Sequence, residues 1–302
     1  MNGTNTTGQL VWFITGTTSG FGHRLVKSAL ARGDRVIATA RSFEKLEAMY
    51  SDVQDRENLR LLELDITIGF EKIKGIVEEG VKAWGRIDVL VNNAGNGYLA
   101  LVEEATSDLY RRQFETNVFG IMDVTNAVLP HMREKKRGTI VTVGSRSVWR
   151  ADTPGIGAYA ASKAAIHGKA SFILDMTPIT EALAVEVAQF NIRVLLVAPG
   201  AFRTENIYGI PFHTSNPIPD YDPMRKSIMA AVATIPGSEP GDPDKGMEVI
   251  VDVVRGEGAA KGKNWPGTLL LGEDAVSTFN RHWEILKKSV DEWFQVIKNV
   301  AF

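Results

Sequence analysis

Two side chains with complementary acid–base chemistry stand four residues apart in Tyr159-Ala160-Ala161-Ser162-Lys163. On a helix that spacing puts both on one face, about 5–6 Å apart. A phenol ordinarily titrates near 10, roughly, and a neighbouring ammonium stabilises the phenolate, bringing the group toward proton transfer near neutrality. With 6 tyrosines in 302 residues the spacing means little alone, so the surrounding groups must decide.

A second set of residues suits an anion. Gly16, Thr18, Ser19, Gly20, Phe21 and Gly22 lie between an apolar run and a helical pattern, where glycines let the backbone approach a diphosphate and a helix N-terminus supplies N–H donors. The next apolar run closes on Ala40-Arg41, the place where dinucleotide folds meet the adenosine ribose. A small residue followed by a cation leaves room for a 2′-phosphate, so NADP(H) is expected over NAD(H). Asp65 would then accept from the adenine amino group, and Ile66 would pack on the ring.

These residues need a scaffold that gathers them at one edge. Short apolar runs at 10–15, 35–40, 59–65, 89–92, 139–143, 194–197 and 268–271 alternate with helical patterns, the signature of βαβ units. Most are continuous Val, Ile and Leu runs of the kind buried on both faces. The pattern predicts an α/β fold: a Rossmann-like doubly wound parallel sheet of about seven strands with helices on both faces, in one domain over residues 1–302. An amphipathic helix is expected over 275–300, its stripe of Trp283, Leu286, Val290, Trp293 and Ile297 meeting the core or a subunit. Residues 205–243 hold seven of the 12 prolines together with Tyr208, Phe212 and Tyr221, and read as an irregular substrate lid.

Asn92-Asn93-Ala94-Gly95, Glu115-Thr116-Asn117-Val118-Phe119-Gly120, Ser145 and Pro199-Gly200 follow their strands in order. Together with the glycine-rich turn and the Tyr159–Lys163 pair, they resemble the short-chain dehydrogenase/reductase family over residues 8–204. The resemblance implies that Tyr159 is the general acid of carbonyl reduction and that Lys163 lowers its pKa while holding the nicotinamide ribose. It implies that Ser145 polarises the carbonyl, Asn117 anchors a proton-relay water, and Thr204 holds the nicotinamide carboxamide. Asn93, Ala94, Gly95, Pro199, Gly200 and Phe202 complete the implied cofactor contacts. Chemically the set is coherent, because hydride arriving at a carbonyl carbon builds negative charge on oxygen and two hydroxyl donors are aimed at it.

The expected activity is therefore NADP(H)-dependent interconversion of a carbonyl and an alcohol. Walls formed by Tyr98, Leu99, Trp149, Phe202, Tyr208 and Phe212 would favour an apolar, cyclic or aromatic small molecule. Two alternatives remain open: a nucleotide-sensing protein without turnover, and an epimerase or dehydratase with a retained cofactor. Ser19 departs from the family, since many NADP-dependent relatives carry a basic residue there. The interval from Tyr159 to Pro199 is also longer than usual, with the surplus at 168–178. One helix over 159–189 would run about 46 Å, too long for one domain, so it should break and restart at Thr177-Pro178. The family commonly dimerises through this helix, and the surplus counts against that face while leaving a homo-oligomer open.

Composition closes other routes. Lys and Arg number 34 against 36 Asp and Glu, which leaves no basic surplus for nucleic acid. Cysteine is absent, which excludes thiol nucleophiles and thiolate metal sites. His23, His131, His167, His213 and His282 show no paired spacing, so no metal is expected. No long apolar run suggests a membrane span, and the first residues do not look like a signal peptide, so a cytoplasmic location is expected.

Overall fold

The computed structural model describes residues 8–150, 152–167, 179–205 and 209–300. Seven strands form one sheet: β1 (Val11–Thr15), β2 (Arg35–Ala40), β3 (Leu59–Glu63), β4 (Val89–Asn92), β5 (Gly138–Val143), β6 (Ile192–Pro199) and β7 (Thr268–Leu271). Their order is β3-β2-β1-β4-β5-β6-β7, with every neighbouring pair parallel. The expected Rossmann-like architecture is thus present. Strand order reverses between β1 and β4, and a crevice opens beyond the carboxyl ends of the strands at such a reversal.

The helices are α1 (Gly20–Ala31), α2 (Phe43–Met49), α3 (Phe70–Trp84), α4 (Ser107–Phe114), α5 (Gly120–Lys135), α6 (Gly157–Ile166), α7 (Ile179–Val187), α8 (Asp222–Ala233), α9 (Pro243–Arg255) and α10 (Glu273–Ile297). Strand residues alternate faces, so β1 feeds two cores. Trp12 and Ile14 pack with Leu25 and Val26 of α1 and with Ile250 and Val251 of α9. Val11 and Phe13 pack on the other face with Ile73 and Val77 of α3 and with Val124 and Val128 of α5. Two buried carboxylates anchor the start of β1. Asp34 accepts from the Leu10 N–H, the Trp12 indole N–H and Arg255, while Asp88 accepts from the Val11 N–H, Arg86 and Arg137.

The long helix expected near Tyr159 does break. α6 ends at Ile166, and His167 turns extended with ψ 157°. The surplus at 168–178 and the Thr177-Pro178 restart lie outside the described residues, as does Tyr208.

One expectation needs correction, and a second is met in part. The proline-rich segment is not wholly irregular, because α8 fills its centre with Pro223 in the first helical turn, where a missing N–H breaks no helix bond. The stripe on α10 meets the core only in part, which leaves a subunit contact as the expectation for the rest. Only Ala275 of this helix is fully buried, and Trp293 (55%) and Ile297 (48%) are exposed. Among the described residues, no helix is long and apolar enough to cross a membrane.

Candidate functional site at the carboxyl ends of the strands

The glycine-rich turn after β1 is tied to the turn after β4. Thr15 Oγ1 accepts the N–H groups of Asn93 and Ala94 at 3.1 and 3.0 Å. The Asn93 amide donates to the carbonyls of Thr15 and Gly16, both at 2.9 Å. Glycine is required at two points of this joint. Gly16 has φ +70° and its missing Cβ would lie 2.9 Å from Ala94 Cα, while a Cβ on Gly22 would lie 2.3 Å from the Gly16 carbonyl oxygen. α1 therefore starts hard against the strand, with its first N–H groups facing the crevice.

That crevice is a groove of about 600 Å³. Gly16, Thr18, Ser19, Gly20, Phe21, Arg41, Asp65, Ile66, Asn93, Ala94, Gly95 and Thr204 all line it, as expected from the sequence. Ser42 and Lys45 line it as well, and sequence reading missed both. Ser42 is the N-cap of α2, its hydroxyl accepting from the Lys45 N–H at 3.3 Å. Arg41, a hydroxyl, a helix start and a second cation thus meet at one end of the groove. Asp65 directs one carboxylate oxygen to the N–H and hydroxyl of Thr67 at 2.9 and 2.7 Å. A groove with a glycine cradle in its wall fits a dinucleotide.

Four other expected contacts sit behind the groove wall. Gly22 serves the turn itself, as described. Pro199 finishes β6 and Gly200 follows it, where the Gly200 N–H donates to the Leu271 carbonyl and a Cβ would strike Asp274. Phe202 is buried at 5% exposure, edge-on to Phe21 at 5.3 Å. Phe202 instead lines a separate cavity of about 1090 Å³ between α9 and α10, together with Trp149. Trp149 packs edge-on to His167 and to Phe279 of α10. Neither aromatic lines the dinucleotide groove; both wall this second cavity instead. Both follow strand ends as expected, but the chain turns them toward β7 and α10, an outcome set by tertiary packing.

The acid–base residues gather beside the groove. The Ser145 hydroxyl accepts the Ser147 N–H at 3.1 Å and neighbours the Tyr159 phenol, whose ionisation it favours. Lys163, 4% exposed, donates to the Val143 carbonyl at 2.8 Å, and its Nζ lies 6.0 Å from the Tyr159 ring centroid. Burial pushes the phenol up from its ordinary value, with the neighbouring Ser145 side chain pulling the other way. Burial likewise brings the lysine down to about 8. Desolvation therefore prevails over the Ser145 hydroxyl at the phenol.

Asn117 is fully buried within a π-helical turn, Glu115–Phe119, between α4 and α5. Such turns shift the backbone register and leave room at functional sites. Its amide donates to the Asn96 carbonyl and Ser162 Oγ at 2.9 and 3.0 Å, and its oxygen accepts from the Asn96 N–H at 3.0 Å. Gln113, also missed from sequence, donates to Asn96 and accepts from the Tyr98 N–H at 2.8 Å. Together they hold residues 95–98 so that Gly97 rests on the Tyr159 ring, where a Cβ would lie 3.2 Å away.

Residues 10–210 match the short chain dehydrogenase family. The oxidoreductase BOA17 of Botryotinia fuckeliana (strain B05.10) is 33% identical over 283 residues, covering 94% of this chain and 96% of its own. A short-chain dehydrogenase structure from Streptomyces avermitilis aligns with a TM-score of 0.81 at 34% identity, covering 98% of this chain and 100% of that one. ElxO with NADP bound aligns with a TM-score of 0.65 at 25% identity, over 87% of this chain and 96% of its own. The Brucella melitensis 3-ketoacyl-(acyl-carrier-protein) reductase complexed with NADH aligns at 0.66 and 25%, over 86% and 95%. With the sheet order, the glycine cradle and these matches in agreement, the chain belongs to the short-chain dehydrogenase/reductase family of nicotinamide-dependent oxidoreductases.

Proposed function

We propose that the protein is an NADP(H)-dependent oxidoreductase that interconverts a carbonyl and an alcohol on an apolar small molecule. The observation that carries this reading is the Ser145–Tyr159 hydroxyl pair with Lys163 buried behind it. When bound, the nicotinamide supplies or takes the hydride. Ser145 and Tyr159 present O–H donors to the oxygen that gains charge, and Tyr159 gives up its proton to it. A phenol held up by burial is protonated at neutral pH, the form that reduction needs. Asn117 fixes residues 95–98, and through Gly97 the position of the phenol ring.

NADP(H) is favoured by the end of the groove where Arg41, Ser42 and Lys45 converge on the start of α2. Both a cation pair and a helix N-terminus there suit a 2′-phosphate. Arg41→Ala should erase most of a preference for NADPH over NADH of about 1.5–3 kcal/mol. Equal dissociation constants for the two cofactors in the unmutated protein overturn the preference.

For the substrate, Tyr98 and Leu99 follow the glycine that touches Tyr159, and the His213 N–H bonds to the Leu99 carbonyl at 2.7 Å. Phe212 and Ile228 close on Gly155 from the lid side. These side chains support an apolar, cyclic or aromatic carbonyl compound. The test is a panel of carbonyl compounds with NADPH, followed by absorbance at 340 nm. Tyr159→Phe should abolish turnover with NADPH binding nearly intact, and retention of more than about a tenth of the activity refutes the assignment.

A further inference from the structure

Ser145 lies two residues beyond β5 in an extended conformation (φ −167°, ψ 146°), and its N–H donates to Nε2 of His167 at 2.7 Å. Gly144 makes room for the ring, since a Cβ there would lie 2.1 Å from the same nitrogen. His167 is 2% exposed and stands edge-on to Trp149 at 5.3 Å.

Tyr159, Lys163 and His167 recur every four residues and form one stripe on the α6 side facing the end of β5. Each grips that strand end at a different atom: Tyr159 meets the Ser145 hydroxyl, Lys163 the Val143 carbonyl, and His167 the Ser145 N–H. A backbone N–H only donates, so the facing ring nitrogen must carry a lone pair. The imidazole is therefore neutral, with its proton on Nδ1. Nδ1 itself has no hydrogen-bond partner and is buried. An orphaned buried donor is unfavourable, and a hydrocarbon of the same size would avoid it. Burial, with Lys163 adding its charge, brings the ring pKa down to about 3, which keeps it an acceptor throughout the neutral range.

We propose that His167 is a positioning residue: by accepting the Ser145 N–H it fixes the backbone from which the Ser145 hydroxyl reaches Tyr159. It touches neither substrate nor cofactor and acts through Ser145. The proposal rests on the reading of Ser145 as the carbonyl-polarising donor.

The unmodified protein gives the first test. In ¹⁵N-histidine NMR at pH 7, His167 should show the Nδ1–H tautomer, and the Nε2–H tautomer overturns the proposal. For variants, His167→Leu keeps bulk and removes the acceptor, while His167→Gln keeps an amide oxygen at similar reach. If the leucine variant fails to fold, His167→Asn, whose amide is too short to reach, takes its place. Amide exchange at Ser145 should be slow in the unmodified protein and in the glutamine variant, and fast in the variant lacking the acceptor. With a carbonyl compound that the protein reduces, loss of the acceptor should lower kcat by about 10- to 100-fold, with NADPH affinity unchanged and glutamine restoring most of the rate. In a Ser145→Ala background the same change should cost less than about twofold. Equal activity of the leucine and glutamine variants, or a full additional loss on top of Ser145→Ala, overturns the role of His167. Undiminished turnover by Ser145→Ala alone instead overturns the reading of Ser145.

Discussion

Lys163 shows how one residue trades stability for chemistry. It is 4% exposed and donates a hydrogen bond to the Val143 carbonyl. Burial lowers its pKa from 10.5 to about 8, so the folded protein resists the charge that the unfolded chain accepts freely. At pH 7 this penalty is on the order of 3 kcal/mol. Lys163→Met, similar in length and apolar, should abolish turnover yet raise unfolding stability by about 1–3 kcal/mol at pH 7, after the lost hydrogen bond is counted. Urea unfolding of both proteins measures the difference, and a less stable methionine variant defeats the argument. Lys163 and its partners Tyr159, Ser145 and Asn117 were legible from sequence because each sits in a short motif at a fixed place after a strand. His167, Gln113 and Glu205 were not. Each acts through a contact across at least 15 residues of chain, to Ser145, Tyr98 and Gly20 respectively, and such pairings exist only once the sheet has brought the turns together.

Elements were easiest to read where burial was greatest. All seven strands appear where apolar runs placed them; the central ones, buried on both faces, have no polar alternation to blur their limits, whereas the edge strands β3 and β7 are only partly buried. α8 was hidden by its prolines, and its attachment was hidden too. Arg225 on that helix pairs with the fully buried Glu104 from the segment after β4, a charge pair no local pattern announces. The start of the lid makes a different attachment. Glu205 accepts from the Gly20 N–H at 3.1 Å and from Arg24 at 2.8 and 2.9 Å, which brings its pKa down to about 2. A carboxylate therefore holds an N–H of α1 that a diphosphate would use, and two anions cannot share it. Glu205→Gln should tighten NADPH binding by about three- to tenfold at low salt, and the gain should shrink as salt rises because Glu205 is half exposed. Unchanged or weaker binding in a fluorescence titration rules the competition out.

Across the whole molecule the titrating groups add up to a stability curve displaced toward alkali. Glu205, Glu248 and Asp152 have lowered pKa values, so the unfolded chain binds protons first as pH falls, and stability is lost on the acid side. His167 works in the same direction between its ordinary 6.5 and about 3, since its buried ring refuses the proton that the unfolded chain takes. The loss from this ring alone is on the order of 4 kcal/mol by pH 3. Lys163 repeats the effect from about 8 to 10.5, where the unfolded chain again holds more protons and stability climbs with pH. Tyr50 and Tyr159 oppose the climb above 10, because burial raises both phenols and the unfolded chain ionises first. The urea midpoint should therefore rise from pH 4 to 7, rise again to a maximum between about 8 and 10, and fall beyond it. Lys163→Met should flatten the rise above pH 8 and leave the acid limb intact, whereas His167→Gln should do the reverse. A maximum below pH 7, or a methionine variant with the same alkaline rise as the unmodified protein, would show that burial of these groups does not govern the curve.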